Sequence, residues 1–317
     1  AVIEFGERQV ANKQKLSLRF GAVHALLKEA DYWARKLGGK TVSEKHVLKA
    51  VDEHRFRHNL YEEKLHESYA DDTIMIDVEG RVAGQVNALA VYQIGEISFG
   101  RPSRITAETF MGKPGVINIE RKSGLSGKTY DKGVLILSGF LGRTFARKIP
   151  LGLSISVTFE QSYDGVDGDS ASSTELNAIL SSLSGIPIDQ GIAVTGSVNQ
   201  KGQIQAIGGV NEKVEGFFEV CKTKGLSGRE GVMSPKANVK HLMPGQEVLQ
   251  AVQKKRFHIY HVSTVAQGIE LLTGVEAGIA GAEGDYSKGT VFGEVQQALK
   301  SYVEQSARFH HFYQAVE

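Results

Sequence analysis

The chain has 317 residues, 37 basic against 36 acidic side chains and an apolar fraction of 41%. It can therefore bury one large core and a smaller one, and a net charge of +1 excludes a nucleic-acid role built on bulk positive charge. A single cysteine, Cys221, excludes an internal disulfide framework and fits a reducing, cytoplasmic setting, and no apolar run reaches the roughly 18 residues of a membrane span. The N-terminus carries no signal-peptide pattern and opens on Ala1 rather than Met, which suggests a piece of a longer protein.

Apolar positions at helical spacing (Leu16, Phe20, Val23, Leu27, Ala30, Ala34, Leu37) predict a helix over 13–37 that stops at Gly38-Gly39. A second helix follows Thr41 or Ser43, with Val47, Leu48 and Val51 inward, and runs toward Leu65. From Thr73 the period changes to two, with Ile74, Ile76 and Val78 on one face, and strands are predicted at 85–93, 104–110, 115–121, 133–140 and 151–160. Beyond lie a helix at 173–183, a hairpin over 192–207 turning at Asn199 to Gly202, and a helix at 210–223. Strand 230–234, helix 246–254, strand 257–262 and helix 264–272 complete this part of the chain. A glycine-rich stretch to Gly289 leads to an amphipathic helix from Thr290, with Val291, Val295, Ala298, Leu299 and Tyr302 on its apolar face. The fold class is α/β (α+β) preceded by a small all-helical segment, divided into 1–70, 71–274 and 275–317.

Chemistry concentrates at Val166-Asp167-Gly168-Asp169-Ser170-Ala171-Ser172, where an apolar run turns on glycines and delivers a hydroxyl just before a helix. A serine there lies beside free backbone N–H groups and the positive end of a helix, which suits a nucleophile whose reaction develops an oxyanion. The same residue types also serve as ordinary helix caps. A second glycine-led helix opens at Gly208-Gly209-Val210-Asn211-Glu212-Lys213 and sets Lys213 among Val210, Val214 and Phe217.

Other patterns lead elsewhere. Gly124-Leu125-Ser126-Gly127-Lys128-Thr129 ends like a phosphate-binding loop, but Lys122 stands where the first glycine belongs and a strand, not a helix, is expected to follow. No G-x-S-x-G elbow surrounds Ser170, and the glycines of a chymotrypsin-like loop are absent after it. His54 and His58 share a helix face with Arg55 and Arg57, which oppose a cation; His258 and His261 face opposite sides of a strand; His310 and His311 lie near the chain end. No metal-ligand set emerges. Cys221 continues the apolar stripe of Val214, Phe217 and Phe218 as a buried thiol.

Together, the serine loop and the Gly208 to Lys213 turn resemble the serine-lysine dyad of the Lon protease family, and the 43-residue spacing from Ser170 to Lys213 fits it. Gly80 to Tyr92, Gly100 to Thr106, Asp131 to Gly139, Thr195-Gly196-Ser197-Val198 and Ile207 to Lys213 extend the likeness over the archaeal-type (B) protease domain. The upstream helices resemble the tail of an AAA+ small helical domain, with Arg19 near the place of a nucleotide-sensing arginine. The resemblance implies Ser170 as nucleophile, Lys213 as general base, Asp167 and Asp169 as the acidic positions of the B-type serine loop, and Thr195 as a hydroxyl orienting Lys213. It further implies an ATP-dependent serine endopeptidase acting on unfolded protein in hexameric rings. The protease domain would bind no cofactor, ATP and magnesium serving an ATPase module mostly missing from this chain. Two other readings fit the same residues: a catalytically silent domain that holds substrate or assembles, and a different Ser-Lys amidohydrolase.

Lysine serves as a base only when neutral, so its pKa must fall from about 10.4 toward the working pH, as burial arranges. A carboxylate reaching Lys213 would oppose that fall. An Asp169 to Lys213 ion pair is accordingly expected as a resting state.

Overall fold

The computed structural model describes residues 1–314 apart from 96, 113, 114 and 149, with side chains to 308; the His310 and His311 side chains thus lie outside the described set. Helices α1 (Val2–Gln9), α2 (Phe20–Lys36) and α3 (Glu44–His58) form the N-terminal segment. The helix expected from residue 13 begins only at Phe20, and the packed face is rotated from the expected stripe: Leu26 and Ala30 meet Val47 and Ala50, whereas Phe20, Leu27, Leu37 and Leu48 face solvent. Two alanines bring α2 and α3 close, and close approach outweighs the larger side chains' preference for burial. Ser43 starts α3 with a capping box completed by His46. The second expected helix breaks at Asn59. Its continuation, α4 (Leu60–Ala70), sends Leu65 and Tyr69 into a core shared with Val214 and Phe217, so packing changes hands at Asn59 rather than at residue 70.

A seven-stranded mixed sheet runs in the order β11 (His258–Val262), β10 (Gly231–Pro235), β7 (Ile192–Val194), β2 (Gln85–Ile94), β3 (Ile97–Phe110), β5 (Ser154–Phe159), β4 (Gly115–Asn118). Side chains alternate between two cores as a pleated strand demands: Val194 and Met233 point to one face, Ala193 and Val232 to the other. The first face is covered by α6 (Lys128–Phe145), α7 (Ser172–Ser184), α10 (Val265–Thr273) and α11 (Val291–Gln314), the second by α4, α8 (Val210–Lys224) and α9 (Gln246–Gln253). Short α5 (Ile119–Ser123) follows β4, and the two-residue strands β1 (Arg81–Val82), β6 (Ile188–Asp189), β8 (Ser197–Val198) and β9 (Ile204–Gln205) pair as β1–β6 and β8–β9.

Several predicted elements change character. The strand expected at 133–140 is the middle of α6, whose buried residues Tyr130, Val134, Leu137, Leu141 and Phe145 recur at helical spacing while Leu135 is exposed. The short run Val134 to Leu137 imitates a strand, and only a longer window shows the period. Ile76 and Val78 are buried, yet 73–79 is no strand: side chains hold it, Asn87 donating to the Asp77 carbonyl and Gln161 accepting from the Met75 N–H. The strand expected at 115–121 ends at Asn118, where α5 begins. Of the expected hairpin, β7 belongs to the main sheet, and only β8 and β9 pair across the turn at Asn199 to Gly202. The C-terminal helix is not an appendage, because Val291, Phe292, Val295 and Leu299 complete the first core. Among the described residues no helix is long and apolar enough to cross a membrane.

Candidate active site

Two surface loops and two helix starts converge at the C-terminal end of β7. The serine loop leaves β5, is tied to the 125–127 segment by Val166, turns at Gly168 with φ of 93°, and enters α7. Asp167 is its anchor. One carboxylate oxygen accepts the N–H groups of Gly168 (2.8 Å), Thr129 (3.1 Å) and Tyr130 (3.2 Å), and these bonds hold the acid below its ordinary pKa. The stretch resembling a phosphate loop therefore does open a helix, contrary to expectation, and the N-terminus of α6 is filled by Asp167 instead of a ligand. Gly127 makes this possible: a Cβ there would lie 2.2 Å from the Asp167 Cγ.

Ser170 stands ahead of the N-cap residue Ala171, and no side chain caps α7. Its carbonyl accepts from the Gly196 N–H at 2.8 Å, while the Ser173 N–H returns to the Gly196 carbonyl at 3.0 Å, so the start of α7 is stitched to the segment after β7. Among the described residues, the N–H groups of Asp169, Ser170 and Ala171 have no protein acceptor.

Lys213 comes from the first turn of α8, which lies directly on β3 because Gly216 and Gly100 face each other without side chains. Only 2% exposed, its amine donates to Ser170 Oγ at 2.9 Å and Thr195 Oγ1 at 3.0 Å. Burial pushes the lysine down to about 8, against the opposing pull of Asp169 and then Glu212. The expected ion pair with Asp169 is not formed: the Asp169 carboxylate accepts instead from Ser197 Oγ at 2.7 Å, and no ion pair joins it to Lys213 among the described residues. A hydroxyl on the neighbouring hairpin satisfies the acid without burying a charge pair. Thr195, 2% exposed, takes its position from a bond between its N–H and the Met233 carbonyl. Arg19 is exposed at the start of α2 and makes no hydrogen bond or ion pair with Ser170, Lys213, Thr195 or Asp169 among the described residues.

Sequence reasoning missed Glu175, whose position one turn into α7 gave no sign of its surroundings. Its carboxyl is 1% exposed and bonded by Tyr130, with Asn118 at 3.2 Å. Burial raises it to about 8, the Tyr130 bond opposing and the Glu120 charge adding. A carboxyl raised above its unfolded pKa gives full stability below that unfolded value and loses it as pH climbs through about 8. Glu175→Gln should remove this loss, so that its stability gains on that of wild type progressively from about pH 5 to about pH 8 and then levels off, by on the order of a few kcal/mol, read as a rising Tm difference. Calorimetry across that range checks it; a pH-independent offset between the two proteins would mean Glu175 stays charged.

Comparison with known proteins adds the lineage. Residues 1–57 match the family model for the archaeal LonB AAA+ ATPase LID domain, and residues 157–273 match that for the Lon protease C-terminal proteolytic domain, spanning both Ser170 and Lys213. An archaeal Lon protease of Thermococcus kodakarensis is 31% identical over 276 residues, which is 85% of this chain and 40% of that protein. The chain belongs to the Lon protease family. A putative Lon protease homolog of Escherichia coli is 38% identical over 249 residues, 78% of this chain and 42% of the relative. An archaeal Lon protease of Archaeoglobus fulgidus is 29% identical over 275 residues, 85% of this chain and 41% of its own length. The chain thus spans about two fifths of these Lon relatives. The lid match ends at 57, close to Asn59 where the packing changes core.

Proposed function

We propose that this chain is the proteolytic part of an ATP-dependent serine endopeptidase that hydrolyses peptide bonds of unfolded protein, with Ser170 as nucleophile and Lys213 as general base. The observation that carries this reading is the 2.9 Å contact between the Ser170 hydroxyl and an amine that burial has brought to about 8. When the amine is neutral, the contact runs the other way, the hydroxyl donating to Nζ. Lys213 takes that proton as Oγ attacks the scissile carbonyl, and the N–H groups of Asp169 and Ser170, without a backbone acceptor among the described residues, would be the donors to the developing oxyanion. The resulting ammonium protonates the leaving amine; Lys213, neutral again, then takes a proton from the water that attacks the Ser170 acyl-enzyme and returns it to Ser170 Oγ as the acid departs. Thr195 holds Nζ by its second bond throughout, which fixes the direction of the lone pair toward Ser170. ATP and magnesium would serve an ATPase module outside this chain, a reading supported by the LID-domain match at 1–57, and a hexameric ring would enclose the sites in the cytoplasm.

Cleavage of unfolded casein and of a short fluorogenic peptide, from about pH 6 to 10 and beside Ser170→Ala, tests the reading. The expected result is Ser170-dependent cleavage rising through about pH 8. Inactivity of the chain, both alone and joined to its ATPase portion, would leave the silent holding domain as the better reading.

A further inference from the structure

The Asp169 carboxylate stands next in sequence to the nucleophile, yet it lies off the dyad. On one side it packs over Gly133 of α6, where an added Cβ would come within 3.6 Å of the Asp169 Cβ. On the other, Ser197 of β8 donates its hydroxyl proton to Oδ2 at 2.7 Å. Ser197 is 3% exposed, and the competing acceptor, Gln205 Oε1 on β9, is farther at 3.4 Å. A hydroxyl has one proton to give, and the shorter, charged acceptor holds it.

Without that bond, the half-buried carboxylate loses its hydroxyl donor and turns to a cation within electrostatic reach. Lys213, on whose amine the Asp169 charge already acts, is such a cation. Glu212, on α8 itself, is the other carboxylate acting on the amine, and α4, β2, β3 and β10, which pack against α8, supply no further charge to it among the described residues. As an ammonium, Lys213 gives two of its three donors to Ser170 and Thr195, and the third is open to a carboxylate that leaves the hairpin. The two arrangements of Asp169, on the hairpin or on the lysine, are therefore alternatives.

We propose that Ser197 is a positioning residue of the dyad, whose hydroxyl holds the Asp169 carboxylate on the β8–β9 hairpin and out of ion-pair contact with Lys213. The proposal rests on the Ser170–Lys213 dyad reading and adds a residue to it. With Ser197 in place, the amine faces a hydroxyl on each side and loses its proton readily; with Ser197 removed, the ammonium acquires a carboxylate partner and keeps it.

Two measurements test it separately. In Ser197→Ala, and in Ser197→Cys, which fills the space with a weak donor, the acid limb of kcat/KM should move up by about one pH unit or more, a roughly tenfold loss at pH 7 that vanishes at high pH. Adding Asp169→Asn to Ser197→Ala should return the limb to or below its wild-type place. Lysine-selective NMR titration, with Lys213 assigned from the Lys213→Met spectrum, should show the same movements in the amine itself. Because this readout needs no turnover, it keeps its force if the chain proves to be no peptidase. A uniform loss of rate with the limb and the Lys213 titration unmoved, or a shift that Asp169→Asn does not reverse, would overturn the assignment of Ser197.

Discussion

Lys213→Met is expected to lower kcat/KM for a fluorogenic peptide by roughly two to four orders of magnitude near pH 8, the usual contribution of a positioned general base. Met fills the same space without a proton acceptor of any strength, so the fold should survive. Lys213→Arg should fail as badly, because a guanidinium does not give up its proton at any working pH. Since the pair acts as a unit, Lys213→Met combined with Ser170→Ala should be scarcely worse than either change alone. The same substitution should make the protein more stable at neutral pH. A lysine depressed to about 8 gives its full stability only above its unfolded pKa and loses it as pH falls through about 8. At pH 7 the buried amine is thus a liability of on the order of 1–3 kcal/mol once its two hydrogen bonds are set against it. Steady-state kinetics and thermal melts on one preparation read both effects. A variant that keeps its activity with an unchanged acid limb would show that another group takes the serine proton, and a variant less stable than wild type would show the amine to be a structural donor.

The local signals at Ser170 and Lys213, a hydroxyl at a glycine turn before a helix and a cation in the first turn of a helix among Val210, Val214 and Phe217, each fit an ordinary cap or a surface lysine, and the family resemblance was needed to pair the two residues that the fold brings to 2.9 Å. Thr195 was named only through the family resemblance, and its contact with Nζ depends on where β7 ends. Asp167 was named without its partner. Its role as the cap of α6 could not be read while Val134 to Leu137 passed for a strand, since a strand offers no helix N-terminus to fill. Ser197 and Glu175 were hidden for a different reason. Their importance lies in bonds to Asp169 and Tyr130, residues 28 and 45 positions away, and no local period encodes such pairings. In the helical segment, the rotated face of α2 escaped because Leu16, Phe20 and Leu27 weigh more in an apolar stripe than Ala30, although it is the alanine that permits close packing.

Gly100→Ala is expected to disable the site from the opposite side of the sheet. A Cβ at Gly100 would stand 2.1 Å from the Glu212 carbonyl oxygen and 3.0 Å from the Lys213 Cα, and the facing Gly216 would meet the Gly100 carbonyl at 2.4 Å if it carried one. Both obstructions are backbone, so no rotamer change relieves them, and α8 must lift off β3. Overpacking of this kind costs about 1–3 kcal/mol, and the glycine in the helix interior at 216, itself unfavourable by about 1 kcal/mol against alanine, is explained by the same contact. A lift of about 1 Å would carry Nζ beyond bonding range of Ser170 and Thr195, which sit at 2.9 and 3.0 Å, and a misplacement of that size is worth about a hundredfold in rate. Gly208→Ala is the matched control, lying in the turn before α8 with nothing within 4 Å of its added Cβ. It should change stability by no more than about 0.5 kcal/mol and leave kcat/KM near wild type. The acid limb separates displacement from simple loss of protein: an amine carried away from its hydroxyl partners toward solvent should titrate nearer its ordinary value, so the residual activity of Gly100→Ala should rise at higher pH than that of wild type. Equal melts and equal pH profiles for the two glycine variants would show that the α8–β3 contact does not set the position of Lys213.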